Sequence, residues 1–233
     1  MKIAVMQPYW FPYIGYFQIM FLVDKFILLD DVSFINKGWI NRNRILVNGQ
    51  PVYITMPLNN ASQNRLIREI EIIEDKKWRS KILKTIEMSY KKAPYFDGVF
   101  DLIKQVINYG DSDLSLSIYH CLKLVKEYLN IDAEIVKTSS VYPKQNLKSQ
   151  NRILDICQRE KAKTFYNTSA GMDLYDKSLF EQNNIEFHFV KTLPTTYLQL
   201  FTKEFTPFLS IIDVMMNNSV DEIENMFNEF TLE

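Results

Sequence analysis

Histidine and cysteine are nearly missing from this chain, with two of each in 233 residues. Cys121 and Cys157 lie far apart without neighbouring metal ligands. Neither a disulfide framework nor a metal site follows, and each reads as a buried apolar side chain in a reducing compartment. A Gly-rich phosphate loop and a Ser-His-Asp signature are missing too, so the residues name no cofactor. Excess charge is lacking as well: the formal net charge is -1, which gives no general reason to expect nucleic acid as a partner. No apolar run approaches the roughly 20 residues of a membrane span. The start MKIAVMQPYW has no apolar core before a small-residue cleavage site. A cytoplasmic, globular protein without a membrane span is expected.

What the chain does hold is aromatic surface: 16 Phe, 13 Tyr and 3 Trp. Much of it is concentrated in residues 7–18, QPYWFPYIGYFQ, between the apolar run Lys2 to Met6 and the run Ile19 to Val23. This reads as a strand, a turn stiffened by Pro8 and Pro12, and a helix whose start at Gly15 allows close backbone approach. Open amides at a helix start attract phosphate. The rings either pack the sheet against its helices or line a ligand loop, and both readings hold for different rings. Gln7, Tyr9 and Gly15 are candidate binding residues here, and Tyr13 and Tyr16 candidate catalytic ones.

Downstream, the continuous apolar run Phe26 to Leu29 reads as a strand covered on both faces. Asp30 and Asp31 close it, at the strand end where open α/β sheets bind ligands. They are candidate general bases, although one of them serves equally as a turn cap. The stretch 33–44, SFINKGWINRNR, gathers Lys37, Trp39, Asn41, Arg42 and Arg44 into a basic loop whose forked donors and flat indole suit a phosphate and a ring. Arg42 and Arg44 pairing internally with Asp30 or Asp31 is the structural alternative.

Asn48-Gly49 between Ile45–Val47 and Val52–Met56 predicts a type I′ hairpin, and Leu66 to Ile73 a further strand. Residues 76–130 carry apolar side chains at helical spacing, broken at Pro94 and Gly110, and predict three helices. His120 there reads as structural. Strands at 133–138, 164–166 and 185–190 alternate with helices at 149–160 and 172–182, which predicts a parallel sheet with right-handed crossovers. The junction NTSAGMDLYD, 167–176, offers Asn167, Ser169 and Gly171 for an anion, with Ser169 alternatively a helix cap. From residue 195 on, the spacing predicts C-terminal helices. The run FLSIIDVMM, 208–216, is apolar on too many sides for a free surface helix, so it is either deeply buried or a subunit interface, as in a homodimer.

Four blocks, QPYWFPYIGYFQ, DDVSFINKGWINRNRIL, NTSAGMDLYD and FLSIIDVMM, closely resemble the WbqC-like proteins of bacterial surface-polysaccharide gene clusters. The resemblance spans nearly the whole chain and implies O-antigen biosynthesis. Tyr13-Ile14-Gly15-Tyr16 is also similar to the His-Ile-Gly-His-like signature of nucleotidyltransferases, with tyrosines at both histidine positions; phenols bring no positive charge to a phosphate near neutral pH. The expectation is one α/β domain over 1–233: a mainly parallel, Rossmann-like sheet with a hairpin insertion, a helical segment at 76–130 and a helical extension at 195–233. The expected function is acyl or aminoacyl transfer to the amine of a nucleotide-linked amino-sugar. An ATP-dependent nucleotidyltransferase or amide ligase, and a non-catalytic sugar- or partner-binding protein, are the alternatives.

Overall fold

The architecture is seen in a computed structural model that describes residues 1–202 and 204–233. In chain order it runs β1 (Lys2–Met6), α1 (Ile14–Leu22), β2 (Lys25–Leu28), then the hairpin β3 (Arg42–Val47) and β4 (Gln50–Thr55), and a short pair β5 (Leu58–Asn59) and β6 (Glu71–Ile72). Three helices follow, α2 (Lys76–Tyr90), α3 (Phe96–Ile107) and α4 (Leu114–Tyr128), then β7 (Glu134–Val136), α5 (Ser149–Arg159), β8 (Thr164–Thr168), α6 (Lys177–Glu181), β9 (Glu186–Thr192), α7 (Ile211–Asn217), α8 (Val220–Met226) and β10 (Phe230–Leu232).

Six strands form the central sheet in the order β10-β9-β8-β1-β2-β7. All neighbours are parallel except β9 and β10. Numbered along the chain, these six strands give the doubly wound order 3-2-1-4-5-6, whose direction of travel reverses between β1 and β8. Ligands in such sheets bind outside the carboxyl ends of the strands at that reversal.

Strand periodicity sorts the core into two layers. Ile3, Val5, Ile27, Phe165, Phe187 and Phe189 face α5 and α6, meeting Ile153, Ile156, Cys157 and Phe180. Ala4, Met6, Phe26, Leu28, Tyr166 and Val190 face the opposite way, into a larger core that includes α1, α4, α7 and α8. Covered on both sides, α1 buries six consecutive residues, Gly15 to Met20. The run 208–216 meets a similar fate: Ile211 to Met216 are all buried within the chain, so this helix needs no second subunit to cover it. No helix among the described residues is long and apolar enough to cross a membrane.

The Asn48-Gly49 turn adopts φ +52° and +73°, the left-handed pair that a type I′ hairpin demands. That hairpin forms a sheet of its own. Elsewhere the boundaries move for local reasons. Leu66 to Ile73 is mostly not strand: Ile67–Glu69 forms a 3-10 turn with a reciprocal bond between Glu69 and the Leu66 N–H, leaving β6 two residues long. The expected helix 172–182 splits into a 3-10 turn at Ser169–Leu174 and α6, because the Asp176 side chain caps Ser178. Ser210 caps α7 and delays its start to Ile211. Phe230, at helical spacing from Phe227, instead enters β10.

A buried carboxylate ties the hairpin to α2 and α7. Asp213 Oδ1 accepts the Tyr90 hydroxyl at 2.7 Å, and Oδ2 accepts the Tyr197 hydroxyl at 2.7 Å and Gln199 Nε2 at 3.2 Å. Tyr90 in turn accepts the Leu46 N–H at 3.0 Å. Burial pushes the Asp213 carboxyl above its ordinary value, opposed by bonds from Tyr197, Tyr90 and Gln199. Tyr90→Phe orphans both Asp213 Oδ1 and the Leu46 N–H and should cost about 2–4 kcal/mol in urea unfolding. Because the folded-state value is raised, ionising this carboxyl subtracts stability as pH climbs from the usual carboxylate range through the raised value. Loss of a donor raises it further. The variant should therefore lose more at about pH 7 than at about pH 4; equal losses would mean that Asp213 carries the same charge at both.

Candidate functional site

A cleft of about 950 Å³ opens at the carboxyl ends of the central strands. Its floor comes from Met6 at the end of β1 and Gln7 after it, Leu29 after β2, and Asn167 and Thr168 at the end of β8. Tyr9, Val32, Ser33, Ile35 and Leu66 form one wall. Residues 144–150 with Arg152 and Ile153 form a further wall, and Ala170, Gly171, Leu174 and Tyr175 line it beyond β8. The cleft thus sits at the point where the sheet order reverses.

Of the residues singled out from sequence, Gln7, Tyr9, Asn167 and Gly171 meet here. The Gln7 backbone carbonyl accepts the buried Tyr16 hydroxyl at 3.0 Å, which fixes the loop where it leaves β1. Burial holds the Tyr16 hydroxyl far above its ordinary value and, more weakly, raises that of Tyr9. Both are proton donors rather than bases. Asn167 Oδ1 accepts the Thr168 N–H at 2.8 Å. Burial pushes the Tyr175 hydroxyl up to about 12, with Asn167 opposing the shift. A Cβ built on Gly171 would make ordinary contacts, 3.6 Å to the Tyr175 ring and 3.9 Å to Asn167 Nδ2. Packing does not demand glycine there, and its bare backbone leaves the space to the cleft. Ser169 is not on the lining; the cap of that turn is Thr168.

The other candidates lie in two further settings. Gly15 is in α1, and a Cβ on it would fall 2.2 Å from Thr192 Oγ1 and 2.4 Å from the Tyr13 ring. The close approach that glycine permits is therefore by the chain itself. Tyr13 packs edge-on against Phe208, Ile211 N–H donates to the Pro12 carbonyl, and Ser210 Oγ donates to that of Phe11. The start of α1 is covered by the segment before α7. In the basic stretch, Asn41 Nδ2 donates to the Met56 carbonyl at 2.8 Å, and Arg42 Nε to the Gly38 carbonyl at 3.0 Å. Arg42 also lies over the Tyr53 ring, 4.5 Å from its centroid, and Arg44 lies 5.8 Å from that of Trp39. Lys37, Trp39, Asn41, Arg42 and Arg44 are grouped around this hairpin and do not line the cleft. His120 stacks on Tyr109, centroids 4.0 Å apart, and stays clear of it too.

Asp30 and Asp31 are buried behind the cleft wall, at 2% and 3% exposure. Asp30 Oδ1 accepts Thr138 Oγ1 at 2.8 Å and the Ser139 N–H at 3.1 Å, and its Oδ2 accepts Ser115 Oγ at 2.9 Å. Asp31 Oδ1 accepts Ser139 Oγ at 2.6 Å, and Oδ2 pairs with Arg152 Nη2 at 3.1 Å. Neither pairs with Arg42 or Arg44. Arg152, 2% exposed, also donates to the carbonyls of Ser139, Tyr142 and Pro143. Lys144 donates to the Asp31 carbonyl at 2.6 Å. Lys144, Lys148, Arg152, Thr168 and Tyr175 also line the cleft, beyond the residues singled out from sequence. A signal for the first three was present in PKQNLKSQNR, 143–152, where cations bracket a helix start.

A Rossmann-type sheet with a cleft at its reversal point defines a doubly wound α/β protein. Residues 7–225 match the WbqC-like protein family, and the chain belongs to it. It is similar to the uncharacterized protein Rv1507c of Mycobacterium tuberculosis, 26% identical over 219 residues, which is 93% of each chain. No solved structure matches it.

Removing one partner of a buried ion pair strands the other charge, at about 3–5 kcal/mol. Arg152→Met should show a loss of that size in denaturant unfolding. Asp31→Asn combined with Arg152→Met should lose less than the two single changes added together; strict additivity would mean that the pair is not coupled.

Proposed function

We propose that this protein serves bacterial surface-polysaccharide biosynthesis, of the O-antigen and lipopolysaccharide kind, as a transferase. In this reading it moves an acyl or aminoacyl group from an activated donor to the amine of a nucleotide-linked amino-sugar. The observation that carries it is the cleft: about 950 Å³ at the sheet reversal, the size and place of a small-ligand site. Its lining is mostly apolar in area, with Met6, Leu29, Val32, Ile35, Leu66 and Leu174 among it, and sets neutral hydrogen-bonding groups, Gln7, Tyr9, Asn167, Thr168 and Tyr175, and cations into that surface. Amides and hydroxyls suit sugar hydroxyls, and Tyr9 offers a ring face as well.

The amine nitrogen attacks the donor carbonyl, a C–N bond forms as the bond to the leaving group breaks, and the amine proton departs with that group. Orientation supplies much of the rate in such transfers. Asp30 and Asp31 take positioning roles here, anchoring the Ser139 turn and Arg152 behind the wall. Tyr16 holds the Gln7 carbonyl.

Adenylyl transfer from ATP has less support. That reading asks Tyr13-Ile14-Gly15-Tyr16 to meet phosphate at the start of α1, whereas Tyr16 is buried and the segment before α7 covers the turn. A purely partner-binding role loses one of its two motives, since Ile211 to Met216 of the apolar C-terminal run are buried within the chain.

Thermal-shift screening and calorimetry against nucleotide-sugars, each with a free and an N-acetylated amine, test the reading. A preference for the free-amine form is expected. Gln7→Ala and Tyr9→Phe should each weaken binding about three- to tenfold, the scale of one neutral hydrogen bond, while unfolding curves change little. A protein that ignores every nucleotide-sugar would sink the proposal.

A further inference from the structure

The loop before β3 and the hairpin itself hold large apolar side chains in water. A turn closed by Gly38 N–H on the Ile35 carbonyl, at 3.2 Å, keeps Lys37 at φ +60°, and Ile35, Lys37 and Trp39 are all exposed around it. Trp39 is 39% exposed and Tyr53 on β4 is 48% exposed, with ring centroids 6.1 Å apart. The segment before α7 extends this surface. Phe208 is 54% exposed, its carbonyl accepts Arg44 Nη2 at 3.4 Å, and the Arg44 guanidinium lies 5.8 Å from the Trp39 ring centroid. Single exposed rings need no explanation, but a connected group of them marks a contact surface.

Charge says what covers it. Lys37, Arg42 and Arg44 stand among these rings, and none of them has an ion pair among the described residues. Arg42 donates to the carbonyls of Gly38 and Lys37 and lies over the Tyr53 ring. Those partners are neutral, so they occupy its donors and leave its charge in place. Occupied donors are poorly placed to grip one phosphate or base edge as a fork, whereas attraction to a charged surface needs only the field. The apolar members point the same way. Ile35 and Phe208 have nothing to give a sugar hydroxyl or a phosphate, but they gain by leaving water for acyl chains. Trp and Tyr, each an apolar ring with a polar tip, collect where a bilayer meets water.

We infer that the 35–39 loop, the Tyr53 face of the hairpin and Phe208 form a docking surface for an anionic lipid bilayer. Trp39, Tyr53 and Phe208 enter the headgroup layer, and Lys37, Arg42 and Arg44 supply the attraction to it. The contact is peripheral, with no segment crossing the membrane. This goes beyond the reaction proposed for the cleft and does not rest on it. Ile35 belongs to both surfaces, because it also lines the cleft. A docked molecule therefore holds that edge of the cleft close to the bilayer.

The test is co-sedimentation of the full chain with vesicles of phosphatidylcholine alone and of phosphatidylcholine mixed with phosphatidylglycerol. Binding to the mixed vesicles, weakened by added salt, is expected, with little on the neutral ones. Lys37→Glu, a reversal at an exposed position, should keep the melting temperature and weaken that binding by about tenfold or more. Trp39→Ala should weaken it about fivefold or more through lost apolar contact. Lys37→Arg and Trp39→Phe should sediment nearly as the parent does, which separates loss of the contact from loss of the fold. Mixed vesicles bound no better than neutral ones, or Lys37→Glu and Trp39→Ala both sedimenting like the parent, overturns the inference. Single-stranded DNA that binds through Lys37 while vesicles do not assigns the patch to nucleic acid and overturns it as well. Either result leaves the chemistry of the cleft standing, and a protein that ignores nucleotide-sugars still sediments with vesicles if the surface is as inferred.

Discussion

The contact between Asp31 and Arg152 is the constraint on which the cleft depends. It links the end of β2 to the first turn of α5 across 121 residues of chain, and both charges are almost entirely out of water. Such a pair contributes little net stability compared with apolar side chains of equal volume, but it tolerates few alternative geometries. Ser139 completes the arrangement by serving both aspartates, so the turn after β7 and the start of α5 are positioned by one network. That network is why the wall carrying Lys144 and Lys148 stands where the sheet order reverses.

Much of the fold was legible in the residues because it is set locally. Asn48-Gly49 is a turn on conformational grounds alone, and alternation such as Ile3, Val5 against Ala4, Met6 identifies a strand with two covered faces. β10 was not legible. It has three residues, and Phe227 and Phe230 mimic a helical spacing; its strand character comes from the exposed edge of β9, which no local pattern encodes. α6 and α7 start late because Asp176 and Ser210 each compete for the first amides.

Part of the cleft lining was legible. Gln7, Tyr9, Asn167 and Gly171 fall on it because strand ends in a parallel sheet converge by topology. Asp30 and Asp31 were visible as acids at such an end, but their partners, Ser139 and Arg152, lie over a hundred residues away, and spacing cannot reveal them. The basic hairpin stands apart from the cleft: Arg42 donates to the Gly38 carbonyl and lies over Tyr53, while Arg44 reaches the Phe208 carbonyl 164 residues on, a partner that spacing cannot reveal. At the glycine of the first helix, close approach by Thr192 has the same sequence signature as close approach by phosphate, so spacing cannot separate the two.

Gln18, wholly buried in the middle of α1, donates through Nε2 to the carbonyls of Met226 at 2.8 Å and Glu229 at 3.0 Å. Those contacts span 208 and 211 residues. An amide that must find its acceptors at such a distance has none while α1 packs on β1 and β2 alone, so an early partial structure holds an unmatched polar group in apolar surroundings. Loop closure over that length is slow. The buried amide of the chain's first helix is therefore matched only when the chain beyond α8's start docks beside it.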